Sequence, residues 1–566
     1  MTARQIRIAL WASVVSLAVA ASTSGITNGF AFDDLPIIVE NGSTHSLAHW
    51  WQLFAQSYWP LIKGGDLYRP VTMLGFAIQW TIGGGSPFVF HVVSILLYAL
   101  ICATFLAILL ELLPMWAAWL GAALFAVHPL HVEAVANVVG QSELLAALFM
   151  FVALLVFLRA RRRGPISLRD TSIILLLYLL GCLSKEHAIV LPALLLAAEA
   201  TVVKNQGRLR DRLVAIRPLV LSLAVVGLAF LWVRIHVLGT TAAASDESNA
   251  LLLGQPFSIR VMTMLRVLLE WVRLFFWPAH LSADYSPRAI ELVTGPSPEM
   301  LASAAILVGF AVLGWMARHR APVATFAFLW AAIALLIPSN LIIPTGFSVA
   351  ERTLFFASAG VMLGVAASAA YLMENRGALT GTARQLAIGA VGIVLLLGLI
   401  RSGFRQRVWR DNYTIFAQTV EDSPASYKAH VAYSAVLLQQ KRRSEALDEL
   451  RLANALFPAD PSAIEYVADA YARVEGCPRA IPIYAHILAK DPRRARSRVG
   501  LAACLIALHD HEGARKTIRQ GLANGASRSV MQQLMAMNDS SEASLSSTSR
   551  LSSDGHDTLA DRNRDH

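Results

Sequence analysis

Along most of the chain, apolar runs alternate with short polar or basic breaks. A helix of about 20 apolar residues crosses a hydrocarbon core of about 30 Å, so runs of that order read as membrane spans. Taken against their breaks, they predict helices near 7–24, 88–110, 114–128, 143–159, 170–183, 187–203, 214–237, 300–317, 321–338, 352–373 and 385–402. With Arg4 and Arg7 inside, the inner loops carry RARRRG at 159–164, KNQGRLRDR at 204–212, RHR at 318–320, and Arg376 with Arg384. Cytoplasmic loops show this excess of Lys and Arg. The run FSIRVMTMLRVLLEWVRLFFWP at 257–278 is also apolar, but Arg260, Arg266, Glu270 and Arg273 interrupt it. Charge is expensive in lipid and cheap at a wet interface, so this run predicts an interfacial or bundle-packed helix. Counting it as a span would invert every later loop.

Eleven spans put the polar interruptions on one face. The outer side collects a first loop at 25–87 with Asp33, Asp34, Tyr68 and Arg69, and then HPLHVE at 128–133 and SKEH at 184–187. Arg234, a second long loop at 238–299 with Asp284 and Tyr285, and Glu351 with Arg352 join them. Pores and transporters scatter charge through their depth; one-sided gathering predicts a catalytic chamber instead. The aromatic stretch THSLAHWWQLFAQSYWPLI predicts a helix at headgroup level, floating the acidic loop on the membrane surface.

After a linker helix at 406–426, the apolar runs stop and a period of 34 residues appears. Ala446, Ala480 and Ala514 share one register, and Ser434, Ala468 and Ala502 another. Leu437, Tyr471 and Leu505 form a third, and Leu450, Tyr484 and Ile518 a fourth; Pro458 and Pro492 close the first two units, where the third has Ala526. Small residues where paired helices touch, with larger ones between, match the tetratricopeptide repeat. About three such units over 427–536 predict an α-solenoid with a concave face, suited equally to handling a peptide substrate or docking another protein. The Ser- and Asp-rich end at 537–566 predicts disorder.

Composition sharpens the membrane reading. Of 566 residues, 56% are hydrophobic and 15% charged, against about 25% charged in soluble domains. The net charge of +10 sits in short loops, which encodes orientation and argues against nucleic acid. Cys102 and Cys182 lie in apolar runs as packing residues, whereas Cys477 and Cys504 can pair only if the tail faces an oxidising space. The N-terminus also reads as a signal peptide, whose cleavage would leave Asp33 near a free end. An uncleaved anchor keeps the topology above.

Asp33 and Asp34 follow a helix end and precede Pro36, which places them on a rigid turn. A carboxylate there can take a proton from an alcohol or hold a cation; the plainer reading is a solvated loop or helix cap. Their company changes the balance. Arg69, His128, His131, Lys185, His187, Arg234 and Arg352 supply groups able to grip a phosphate, although each alone reads as a headgroup anchor. The two histidines of HPLHVE lack a third ligand at standard spacing, so no metal is expected.

The motifs FAFDDLPIIVEN, LYRPVTMLGFAIQWTIGGGSPFVFHVVSILLYA, LFAVHPLHVEAVANVVGQSELLAALF, LSKEHAIVLPALLL, LSADYSP and IPSNLIIPTGFSVAERTLFFASAG occur in that order before the repeats. Over about 25–525 the chain resembles the transmembrane and tetratricopeptide repeat-containing protein O-mannosyltransferases, of the GT-C membrane glycosyltransferases. The resemblance implies an all-α fold: a GT-C membrane domain over 1–405, then the repeats. It implies inverting transfer of a sugar, typically mannose, from a polyprenyl-phosphate donor to protein Ser or Thr on the extracytoplasmic side. An acid in the first outer loop serves the reaction, here Asp33 or Asp34. Arg69, His128, Lys185 and Arg352 are the expected phosphate-balancing set. Tyr68, His131, Glu133, Glu186, His187, Arg234, Asp284, Tyr285 and Glu351 are expected to support them, with no cofactor. The expected partners are the lipid-linked sugar, membrane lipid and an acceptor polypeptide, in a bacterial inner membrane or the endoplasmic reticulum. The chain departs from the family in having few repeats, and in Phe355, Phe356 and Ala357 beside Arg352. The rival expectation is a non-catalytic membrane scaffold whose repeats recruit envelope or secretory proteins; within the enzyme reading, a glycan or lipid acceptor stays open.

Overall fold

A computed structural model describes residues 2–60, 67–203, 207–239, 252, 254–285, 290–342, 348–376, 381–456 and 461–560. Lys63, Lys204, Pro287, the 343–347 stretch, Pro458 and the last six positions lie outside the described residues. Those that are described contain helices and no strand. The chain divides into two compact units, Met1–Ser423 and Pro424–His566.

The first unit runs through α1 (Ala3–Ser22), α2 (Pro70–Gly83), α3 (Pro87–Leu112), α4 (Met115–Ala126), α5 (Val132–Ala136), α6 (Gln141–Arg163), α7 (Leu168–Ser184) and α8 (Leu191–Thr201). It continues with α9 (Leu209–Leu238), α10 (Phe257–Phe276), α11 (Pro298–Ala317), α12 (Pro322–Leu335), α13 (Phe355–Arg376), α14 (Gly381–Val408) and α15 (Asn412–Asp422). Each of the eleven predicted spans coincides with one of these helices. Seven are long and apolar enough to cross a membrane unaided: Arg4–Gly25, Pro87–Leu112, Val138–Arg163, Leu209–Leu238, Pro298–Met316, Glu351–Asn375 and Gly381–Val408. Met115–Ala126 and Pro129–Ala136 form one further candidate, bent by 48°. The eleven expected spans therefore match the helices only roughly: α2 was not foreseen, and α7, α8 and α12 are short.

Leu307, Val308 and Leu313 on α11, and Ile393, Leu396 and Leu397 on α14, are exposed. Continuous apolar faces of this kind are a liability in water and ordinary in lipid. The interior is closed by Phe105, Phe125, Phe151 and Trp330, whose neighbouring ring centroids lie 4.9 to 5.6 Å apart. Arg161 near the end of α6 and Arg212 at the start of α9 both reach Glu199, at 2.9 and 3.1 Å, so the basic loops are anchored by a buried acid. Helix α10 buries Thr263, Met264, Val267, Trp271, Leu274 and Phe275 while Arg273 pairs with Glu270. It is packed into the bundle and is not among the long apolar helices.

Three elements depart from expectation. Over its described residues, 44–60, the aromatic stretch is not an α-helix: short 3-10 turns at Gly42–Thr44 and Trp50–Ala55 carry it, with His45 stacked on Trp80 at 3.7 Å. Behind it the outer loop contains α2, started by Pro70 and ended by Gly84 at φ 58°. The linker over 406–426 is broken, since α14 runs to Val408 and α15 starts afresh at Asn412 behind an Asp411 cap.

The second unit stacks α16 (Tyr427–Gln439), α17 (Arg443–Leu456), α18 (Pro461–Val474), α19 (Cys477–Lys490), α20 (Ala495–Ala507) and α21 (His511–Ala523), followed by α22 (Arg528–Ala560). Both small-residue registers are fully buried. Gly500 lets α20 approach Tyr484 so closely that an added Cβ would lie 2.5 Å from its Cζ. Cys477 and Cys504 form a disulfide. Helix α22 buries Met531 and Leu534 in its first turns and continues to Ala560, into the stretch expected to be disordered.

Candidate active site

The acidic loop leaves α1 through a 3-10 turn at Thr23–Gly25 and lies over a small apolar cluster. Ile37, Ile38, Leu53, Tyr58, Met73, Phe76, Phe90, Val138 and Val139 form it, so α2, α3 and the turn before α6 all support the loop. At that turn Gly140 passes so close to α5 that a Cβ would meet the Ala134 carbonyl oxygen at 2.4 Å. The tight passage presents the Val139 amide to the loop.

The two adjacent acids have different surroundings. Asp34 is 1% exposed; its Oδ1 accepts from Val139 N at 2.9 Å and its Oδ2 from Ala31 N at 3.2 Å. Burial outweighs these amides and pushes its carboxyl up to about 7. Asp33 keeps a partly open side chain and lies 3.4 Å from Arg352 Nη1. Burial raises its pKa too, against the pull of Arg352 and, more weakly, Arg69. Asp33 is therefore the more open of the two acids, and Asp34 anchors the turn.

Arg352 also donates through Nη1 to Glu133 Oε1 at 3.1 Å and through its backbone N to Glu133 Oε2 at 2.9 Å. Arg69 Nε and Nη2 both lie 3.0 Å from Glu186 Oε2, and the other oxygen of Glu186 accepts from Tyr68 N at 3.1 Å. Burial works against the Glu186 charge, but Arg69, the backbone amides of Glu186 and Tyr68, and Arg234 together hold the carboxyl below its usual range. Lys185 pairs with Glu143, whose Oε1 lies 3.2 Å from His187 Nε2. Burial, with Arg69 and Arg352 adding like-charge repulsion, holds Lys185 below an ordinary lysine despite Glu143. Arg69 and Arg352 thus act on both Asp33 and Lys185. Arg234 on α9 acts on Glu186 from behind.

Other expected residues lie apart. His128 is buried, with its ring bound to the Phe275 carbonyl at 3.0 Å and to the Leu130 amide, so it caps the turn. His131 is locked between Tyr98 OH at 2.9 Å and Ser358 Oγ at 2.7 Å. Glu351 accepts from Tyr285 OH at 2.8 Å and Ser282 N at 2.6 Å, a layer behind Arg352; Asp284 contributes its backbone to the Ser282 turn. Phe355 and Phe356 are fully packed, Phe355 against His131 and Phe356 against Trp330. Among the described residues, no group of His, Cys, Asp or Glu is arranged to hold a metal ion.

The sequence reading missed two residues. Tyr58 is buried with the Arg69 guanidinium 5.0 Å from its ring centroid, and its hydroxyl has no protein partner. Its signal was hidden among neighbouring aromatics. Glu143 holds Lys185 from the first turn of α6, where a lone acid at the start of an apolar run was the available clue.

A model described as tetratricopeptide repeat matches residues 478–537. The chain is 25% identical to mouse protein O-mannosyl-transferase TMTC3 over 486 residues, covering 81% of this chain and 52% of that protein. With human protein O-mannosyl-transferase TMTC4 it is 28% identical over 483 residues, covering 74% and 63%. The resemblance carried by the ordered motifs therefore extends over most of the chain, while the chain spans about half to under two thirds of these relatives' length. Among solved structures, ArnT from Cupriavidus metallidurans bound to undecaprenyl phosphate aligns with TM-score 0.41 and 15% identity, over 86% of this chain and 81% of that one; the likeness is too loose to inform the site.

Proposed function

We propose, on the premise that this chain is a relative of the protein O-mannosyl-transferases, that it is a multi-pass membrane glycosyltransferase with Asp33 as general base. The donor is a polyprenyl-phosphate sugar, mannose by the names of the relatives, and the acceptor a Ser or Thr hydroxyl of a protein. One observation carries the reading: a partly open carboxylate, Asp33, stands 3.4 Å from Arg352 in the loop after the first apolar helix, and Arg69 acts on both Asp33 and Lys185. In the transfer step Asp33 accepts the acceptor's O–H proton as that oxygen attacks the anomeric carbon. The bond from that carbon to the phosphate oxygen breaks, its electron pair stays on the departing lipid phosphate, and the configuration inverts. Arg352, Arg69 and Lys185 balance the charge that develops there, where preorganised cations are worth most.

The reaction lies on the extracytoplasmic face in this reading. The basic inner loops support that orientation, and so does the Cys477–Cys504 disulfide, since disulfides persist in oxidising compartments. The repeats offer a concave surface for the acceptor polypeptide. The test is purified protein with labelled polyprenyl-phosphate mannose and mass spectrometry of the acceptor. Label should appear on Ser or Thr with the wild type and fall about 10²–10⁴-fold with Asp33→Asn. Full transfer by Asp33→Asn, Asp34→Asn and the double variant would end the mechanism and leave recruitment by the repeats as the better account.

A further inference from the structure

The acidic loop is held from an unexpected quarter, the far end of the membrane unit. Ser24 Oγ donates to the Gly403 carbonyl, Asn28 Nδ2 to that of Gln406 and Gly29 N to that of Arg410, each at 2.8 Å. The last tie differs in kind: Phe32 N donates at 2.7 Å to a side-chain oxygen, Asn412 Oδ1, 380 positions away. Phe32 itself sits at φ 56°. A bulky residue in the left-handed region is strained, and such strain persists only where surrounding structure over-determines it. Here the Asn412 oxygen fixes the amide, while Trp409 and Phe416 pack against the Phe32 ring with centroids 6.1 and 5.7 Å away. The next residue is Asp33, so relaxation of Phe32 to an ordinary φ would swing that carboxylate away from Arg352.

Asn412 is not needed to build its own helix. The cap of α15 is Asp411, which accepts from Thr414 N at 2.8 Å. The Asn412 side chain is spent on the loop instead.

Resting on the functional reading above, we propose that Asn412 is a positioning residue for sugar transfer: its side-chain oxygen locks the strained turn at Phe32 that aims Asp33 at the reacting hydroxyl. The experiment compares wild type, Asn412→Ala and Asn412→Asp in lipid nanodiscs, using steady-state transfer kinetics and backbone hydrogen exchange over residues 29–35. Asn412→Ala removes the acceptor oxygen, whereas Asn412→Asp keeps it. The expected result is a kcat lower by about 10²-fold in Asn412→Ala, as for a catalytic group misplaced by about 1 Å. Donor KM stays within about twofold, exchange at 29–35 speeds up by about tenfold or more, and Asn412→Asp restores both. Asn412→Ala exchanging at the wild-type rate overturns the clamp, whatever its kinetics, and leaves the functional reading standing. Equal kcat losses in both variants also overturn it. A wild-type protein that transfers no sugar fails the functional reading itself, and the exchange comparison still decides whether Asn412 holds the loop.

Discussion

Asp33 and Asp34 are chemically identical neighbours, and their partners alone divide the labour between them. Asp34→Asn keeps the size of the side chain but turns one acceptor into a donor facing a backbone amide, which should cost about 1–3 kcal/mol of stability. That cost should depend on pH. Burial raises the Asp34 pKa from 3.8 to about 7, so the folded chain holds this proton more tightly than the unfolded one. The resulting stabilisation is complete below about pH 4 and is lost as pH rises through 7. Thermal melts should therefore show the gap between wild type and Asp34→Asn narrowing from pH 5 to pH 8. For Asp33 the reading is kinetic. Its raised pKa should put the acid limb of kcat/KM above the ordinary aspartate range, and Arg352→Ala should move that limb higher still, because the guanidinium lowers the pKa. That the acid pair sits on a rigid turn was legible from its place before Pro36. Which of the two is the more open was not, because the Val139 amide that pins Asp34 lies 105 positions away.

At the scale of elements, hydropathy located the long apolar helices but not their lengths, and it overlooked α2, whose 14 residues fall below the size of a span. Nor could it see that HPLHVE bends one helix pair by 48° and turns His128 inward, since the Phe275 carbonyl that takes its ring comes from α10. The repeats were easier to read, because each register fixes a contact between neighbouring helices and small residues recur where backbones meet. Two changes test that packing. Ala480→Leu should destabilise the repeat unit by about 1–3 kcal/mol, because Ala480 is fully enclosed and has no room for added methylenes. Replacing Cys477 and Cys504 by Ser should cost it about 3 kcal/mol by chain-entropy reasoning for a 27-residue separation. Both would be read in chemical denaturation followed by circular dichroism.

For the whole molecule, the proposed orientation rests on the basic loops, and the candidate site is proposed to lie on the face opposite them. That face draws its residues from the first loop, the ends of α7 and α13 and the turn before α6, positions spread across more than 300 residues. No local pattern shows such convergence; the order of motifs did, because it marks where each polar break returns to the same side. The disulfide turns this arrangement into a ready-made assay. Cys102 and Cys182, the two free thiols, are both fully enclosed in the bundle, whereas Cys477 is only half-buried. Sealed vesicles treated with a membrane-impermeant maleimide should stay dark until dithiothreitol is added and should then take up dye on the repeats. In right-side-out vesicles that signal should need no permeabilisation, so unaltered protein carries its own sidedness marker, and routine use of reductant during purification would switch it on unnoticed.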